Sequence, residues 1–196
     1  LIFDPNEIIV AHGRYENVNT QKIYFTDGDT FFYHMNIADP DLQTYELDSF
    51  DLVSDVTFSN IALELETGGS LKAGKIQYAY QLYSKRGSES VFSPTSQLIH
   101  LTEESESQPS LSYTGSDVGA VVNKSVKVTV ENPDDLFTRV RLVALEYTVL
   151  DQVPAIRVVG EYNIEDLTSI TIVDTGVSIG ELTLEEFRFI QNDFYP

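Results

Sequence analysis

The chain has 196 residues, 42% of them hydrophobic, with 31 acidic against 12 basic side chains and a formal charge of -19. That balance excludes an electrostatic nucleic-acid binder, because tracking phosphates takes an excess of Lys and Arg to release counterions. Zero cysteines exclude disulfides, thiolate metal sites and thiol nucleophiles together.

The length suits one sizeable β domain or two small ones. No run approaches the roughly 18 consecutive apolar residues of a membrane span. The opening, Leu1 to Val10, lacks the basic head and cleavage site of a signal peptide and carries no initiator Met. The close, Phe194-Tyr195-Pro196, follows directly on a patterned stretch, so the chain reads as an internal piece of a longer polypeptide.

Period-two alternation dominates, the mark of strands whose side chains point to opposite faces in turn. Strands are expected at 7–11, 21–26 and 30–37. Asp27-Gly28-Asp29 between Ile23-Tyr24-Phe25 and Phe31-Phe32-Tyr33 signals a hairpin, since Asp and Gly tolerate the positive φ of tight turns. Alternation lapses at Asp39-Pro40-Asp41 and resumes in a strand over 55–66. In 75–84, Ile76, Tyr78, Tyr80 and Leu82 project one way, and Lys75, Gln77, Ala79 and Gln81 the other, as in a half-buried core strand. Lys85-Arg86-Gly87-Ser88 marks a second hairpin turn before a strand over 90–101.

The run Glu103 to Ser110 is polar, acidic and interrupted by Pro109, which makes it the linker candidate. Beyond it, Val126, Val128 and Val130 face inward, and Lys127 and Thr129 outward, in a strand from Lys124 to Glu131. Strands at 138–149, 155–162 and 169–174 follow. Thr183-Leu184-Glu185-Glu186 fits a capping box, in which Thr183 and Glu186 satisfy each other's end amides, so one short helix of about a turn is expected there.

Residue types that carry chemistry are present, but not in working patterns. Asp27, Asp29, Asp39 and Asp41 could offer calcium several carboxylate oxygens. Their spacing does not match an EF-hand loop, and Asp is an ordinary turn residue, so structural turns are expected instead. His12, His34 and His100 stand isolated, without ligand spacing. Glu64 and Glu66 share a strand face and could in principle flank a glycosidic bond, but so acidic a chain produces such pairs by coincidence and a solvated face is expected. No phosphate loop, nucleophile elbow or metalloprotease helix occurs. The expectation is no active site, no metal and no cofactor.

Two sets of motifs carry a resemblance. Leu71-x-x-Gly74-x-x-x-Tyr78-x-Tyr80, then Gly87 and Ser93-Pro94-Thr95-Ser96, resembles the later strands of a fibronectin type III-like sandwich. In such a strand Gly74 lets the chain turn in, the tyrosines pack between sheets, and Ser93-Pro94 starts a bend that ends ladder bonding. Lys22 to Gly28 with Met35-Asn36-Ile37 is similar to a blade hairpin of the nozzle (stabilization) proteins of short-tailed phages. Lys127 to Val130, Asn132, Phe137, Arg139 to Leu145, Pro154 to Glu161, Ile172 to Gly176 and Glu186 to Phe189 look like their second sandwich and the return to the blades. In order, these matches cover most of residues 20–190 and resemble the tail nozzle or muzzle proteins of crAss-like phages.

The resemblance implies an all-β chain of fibronectin III/immunoglobulin-like sandwich modules beside a β-propeller-like hairpin segment. The expected division is a hairpin segment at 1–50, a first sandwich at 51–103, a linker at 104–117, a second sandwich at 118–178 and a return segment at 179–196. It also implies a non-enzymatic virion protein that joins copies of itself in a ring with other tail proteins, closes the tail end and gates genome exit, with no membrane insertion and no sequence-specific nucleic acid. The alternatives are an extracellular adhesion or carbohydrate-binding sandwich, suggested by 11 Tyr plus 11 Phe, and more remotely a glycosidase-associated β domain.

Charge placement suggests where copies meet. Between Lys22 and Lys72 lie acids and no Lys or Arg, whereas Lys72, Lys75, Lys85, Arg86, Lys124, Lys127, Arg139 and Arg141 concentrate positive charge centrally. These eight are the candidate interaction residues, set to meet acidic faces of neighbouring copies or adjoining tail proteins while acidic surfaces line a passage for DNA.

Overall fold

The computed structural model describes residues 8–26, 32–45, 50, 56–84, 89–103, 116–150 and 152–191. The fold is nearly all β, as expected, with one α-helix among the described residues. The chain divides into two compact units, 1–56 with 84–90, and 57–83 with 91–196.

The first unit holds a three-stranded antiparallel sheet in the order β1 (Ala11–Asn17), β2 (Thr20–Thr26), β3 (Phe32–Asn36). β2 and β3 pair as the hairpin reading requires, Tyr24 opposite His34 and Phe25 opposite Tyr33. The Asp27-Gly28-Asp29 turn lies outside the described residues. The first strand occupies 11–17 rather than 7–11. It turns into β2 through Val18-Asn19, where the Asn17 side chain accepts from the Asn19 amide at 2.8 Å. Asn17 and Asn19 make a tight turn without glycine, a signal weaker than Asp-Gly. Asn36 then clamps this turn to the end of β3. Its Oδ1 accepts from the Gln21 amide and its Nδ2 donates to the Asn19 carbonyl, both at 2.8 Å.

The second unit carries two sheets. Three strands lie in the order β11 (Ser169–Asp174), β8 (Lys124–Glu131), β4 (Ile61–Thr67). Six belong to the other, β12 (Gly180–Leu182), β10 (Ala155–Asn163), β9 (Arg139–Tyr147), β5 (Gly74–Tyr83) and β6 (Glu89–Phe92), with β7 (Ile99–Leu101) also paired to β5. The strand pairing crosses the expected boundary between the segments 51–103 and 118–178. β4 pairs with β8 and β5 with β9, so both sheets draw strands from both segments. Alternation tells which face a side chain takes, not which strand lies beside it. Residues 104–115 of the expected linker lie outside the described residues, but its ends meet, the Glu103 amide donating to Ser116 Oγ at 2.7 Å.

Two further expectations are corrected. The strand over 90–101 is interrupted, β6 and β7 being separated at Ser93-Pro94. The Lys75–Gln81 row of β5 is solvated only at its start, since Lys75 is exposed whereas Ala79 is fully buried and Gln81 is 1% exposed. Ala79 belongs to a second apolar cluster with Phe92, Val143, Leu145, Ile156, Val158 and Phe187. Phe187 comes from α1 (Leu184–Gln191), whose ring sits 4.9 Å from that of Phe92. A lone helix thus covers the face of the six-stranded sheet that alternation assigns to water, while Tyr78, Tyr80 and Leu82 are fully buried on the other.

The helix starts where the capping box places it. The Thr183 amide donates to Glu186 Oε2 at 2.7 Å, and the Glu186 amide to Thr183 Oγ1 at 3.1 Å. At two turns it is longer than expected, because docking Phe187 supplies tertiary burial that a bare turn lacks. Gly74 enters β5 at φ +146, where a Cβ would meet the Tyr147 carbonyl oxygen at 2.5 Å, so only glycine lets β5 run this close to the end of β9.

Candidate functional site

The most built polar site is a buried knot between the two sheets. Arg157 sits inside the apolar run of β10, and Asp174 ends β11. They are 8% and 1% exposed. The guanidinium meets the carboxylate fork to fork, Nη2 to Oδ2 at 2.7 Å and Nη1 to Oδ1 at 3.0 Å. Its Nε donates to Glu146 Oε1 on β9 at 2.8 Å, and Nη1 also donates to the Val177 carbonyl at 2.9 Å.

Asp174 is satisfied from two further directions. The Tyr78 hydroxyl of β5 donates to Oδ2 and the Gly176 amide to Oδ1, each at 2.9 Å. The planar fork and the surrounding donors are what make such a pair tolerable away from water. Gly176 holds φ +95 in the following turn, and a Cβ there would collide with Ser70. Burial works against the Arg157 charge, but the hydrogen bond and charge of Asp174, with Glu146, outweigh it and hold the guanidinium above its ordinary value. Burial pushes the Tyr78 hydroxyl up, and Asp174 adds to that. The arrangement locks β5, β9, β10, β11 and the turn after β11 together.

A second device replaces ladder bonds beside β5. Past Phe92 the chain bends at Pro94, as expected, yet bonding to β5 continues through side chains. Ser93 gives its amide to the Tyr80 carbonyl at 2.8 Å and takes the Tyr80 amide on its hydroxyl at 3.0 Å. Ser96 does the same with Tyr78 at 2.7 and 2.9 Å. The Ser-Pro-x-Ser motif therefore keeps buried backbone groups satisfied where proline has no donor. The Tyr80 hydroxyl in turn accepts from the Ser59 amide at 2.8 Å and donates to its carbonyl at 3.1 Å, tying the approach to β4 to the core.

The six described basic residues of the eight differ in what they engage. Lys127 is committed to Glu64 on the neighbouring strand at 2.8 Å, which raises the Lys127 ammonium above its ordinary value. Arg141 pairs with Glu161 at 2.7 Å, donates to Gln81 Oε1 at 2.9 Å and lies 5.3 Å over the Tyr83 ring. Arg139, on the same strand, is half-buried. Lys124 is half-buried and also engaged within the chain. Lys72 and Lys75 are exposed and make no ion pair among the described residues. Lys85 and Arg86 lie outside them.

The residues weighed for chemistry are scattered as well. Asp39 accepts from the Asp41 amide at 3.1 Å and the Tyr45 hydroxyl at 3.0 Å, in the turn before a short 3₁₀ helix at Leu42–Thr44. Asp27 and Asp29 lie outside the described residues. His12 is exposed on β1, His34 stacks on Tyr24 at 6.3 Å, and His100 is exposed on β7. Glu64 is spent on Lys127. Among the described residues no group of three His, Asp or Glu is placed to hold a metal, and no helix is long and apolar enough to cross a membrane.

Sequence reading missed Arg157 altogether. Its signal is an arginine inside Ile156-Arg157-Val158-Val159, where an inward charge demands a partner; the partner, Asp174, lies within the Ile172 to Gly176 motif.

Ion pairs spent on holding strands together define a structural β module. The chain belongs to the crassvirus muzzle protein family, whose match runs over residues 1–194, and with it to the tail of the virion. It is 31% identical over 186 residues to the muzzle protein of Bacteroides phage crAss001, an alignment that takes in 93% of this chain and 12% of that protein. The chain thus spans a small part of the curated relative's length.

Proposed function

We propose that this chain is a structural part of a tail muzzle ring, in which several copies close the tail end and gate genome exit without catalysis. The observation that carries this reading is the family match over nearly the whole chain. The two sheets of the second unit act as a fibronectin III-like sandwich made jointly by 57–103 and 116–182, and the β1–β3 sheet acts as a propeller-blade-like element. With a charge of -19, surfaces facing the channel repel DNA, which passes without adhering.

Contacts between copies centre on Lys72 and Lys75. Lys75 opens onto a cavity of about 470 Å³ walled by Leu98, Val118, Val149 and Leu150, the last 87% exposed. Exposed apolar side chains beside Lys75, which makes no ion pair among the described residues, suit an acidic face of the next copy, the charges of Lys72 and Lys75 steering the approach and the apolar groups supplying the contact. Lys127 and Arg141 stand outside this surface because their charges are already paired.

Negative-stain imaging of the purified parent polypeptide tests the reading. A ring with a central hole is expected, and Lys72→Glu with Lys75→Glu is expected to shift it towards free protomers. A monomeric parent protein would overturn the ring, and undisturbed rings in the double variant would overturn the assigned contact.

A further inference from the structure

We propose that the outer edge of β1 is completed in the assembled protein by a β-strand of the same polypeptide, supplied from outside these 196 residues. The proposal needs only the chain's membership in a longer polypeptide and does not depend on the ring.

The hydrogen-bond phase of the small sheet identifies the open groups. The Thr26 amide donates to the Val10 carbonyl, and the Ile37 amide to the Gln21 carbonyl. Bonds in an antiparallel pair recur at every second residue. Together with the register, this assigns the bonds from β2 to β1 to Lys22 and Tyr24 opposite Arg14 and His12, while Ile23 and Phe25 serve β3. The amides and carbonyls of Ala11, Gly13 and Tyr15 therefore point away from the sheet. All seven residues of β1 are exposed.

The side chains make the same case. Ala11, Phe25 and Tyr33 share one face by register, as do Gly13, Ile23 and Met35. Phe25 and Tyr33 stack at 5.4 Å and are buried, whereas the row continued by β1 is open, with Tyr15 67% exposed. Nothing lies within 4 Å of where a Gly13 Cβ would stand, so this face of β1 is uncovered at its middle. Natural edges are blunted by lysine, proline or bulges placed against pairing. Along the stretch from Ala11 to Tyr15 the one charged residue is Arg14, and the register is regular as far as Tyr15.

The occupant follows from the length of chain outside this structure. The curated relative is some eight times longer than the aligned segment. A strand on the same polypeptide acts at a high effective concentration and meets an edge already in register. A sheet of three strands with two buried aromatics gains a fourth strand and cover for its apolar row.

The test uses the full-length parent protein. Residue-resolved hydrogen exchange is expected to find the Ala11, Gly13 and Tyr15 amides slowed roughly a hundredfold or more, comparably to His12 and Arg14. A photoreactive phenylalanine in place of Tyr15 is then expected to link to a peptide outside these 196 residues, in a product that still migrates as one chain. Fast exchange at residues 11, 13 and 15 with protection at 12 and 14 would overturn the proposal. So would a product of doubled mass, a link to another tail protein, or a link within the 196 residues.

Discussion

The Arg157 guanidinium and the Asp174 carboxylate meet by two parallel hydrogen bonds, at 2.7 and 3.0 Å, although 17 residues and a change of sheet separate them. Neither charge has access to water worth the name, so the pair's value lies in what its rupture would leave behind. Asp174→Ala leaves a buried guanidinium with Glu146 as its one remaining carboxylate and is expected to cost about 3–5 kcal/mol in urea unfolding. Replacing both partners, Arg157→Met with Asp174→Leu, is expected to cost less than either single change. An Asp174→Ala loss below about 1 kcal/mol, the scale of a surface pair, would contradict the assignment.

Ser93 and Ser96 are expected to behave as backbone substitutes rather than as polar surface. Ser93→Ala removes the acceptor of the Tyr80 amide in a site 1% exposed, for a cost of about 1–3 kcal/mol. Exchange at that amide should accelerate relative to its neighbours on β5. Unchanged exchange would mean that another acceptor takes over.

The helix is expected to owe its stability to one ring. Phe187→Ala empties the contact with Phe92 and should cost about 3–5 kcal/mol, with Phe187→Leu falling well short of that. Loss of helical signal ahead of strand signal on warming the alanine variant would show that α1 docks as a separate layer. Full retention of both stability and helix would refute the second core.

Arg141 and Glu161 supply a pH dependence. The hydrogen bond from Arg141 holds the Glu161 carboxyl below its ordinary value, against the opposing effect of burial. A depressed folded-state value means stability that is present above the ordinary carboxylate range and lost as pH falls through the lowered value. Arg141→Gln should therefore raise the Glu161 titration, read from its carboxyl carbon by NMR. The stability gap between wild type and variant should narrow as pH falls through the lowered value. A gap that is flat with pH would assign Arg141's contribution to packing on Tyr83 instead.

Much of the secondary structure was legible because its causes are local. The capping box spans four residues, the hairpin between β2 and β3 a handful, and Val126, Val128 and Val130 reveal their shared face through period two alone. The candidate interaction residues were less legible, because a lysine's availability depends on what stands across the sheet. Lys127 and Lys75 look alike along the chain, yet Glu64 lies opposite the first and Tyr147 opposite the second.

The amino-acid order was enough to establish an acidic all-β chain, the inward rows of its strands, the start of its helix and a resemblance that the family match bears out. Folding decided the rest: that 57–103 and 116–182 share both sheets, that Ala79 is buried in the cluster of Phe187 and Gln81 against Arg141, and that Tyr78 finds Asp174 across 96 residues. Alternation is set by the geometry of a single strand and survives in any neighbourhood. Pairing is set by the summed burial and hydrogen bonding of strands distant in the chain, and no window of sequence contains that sum.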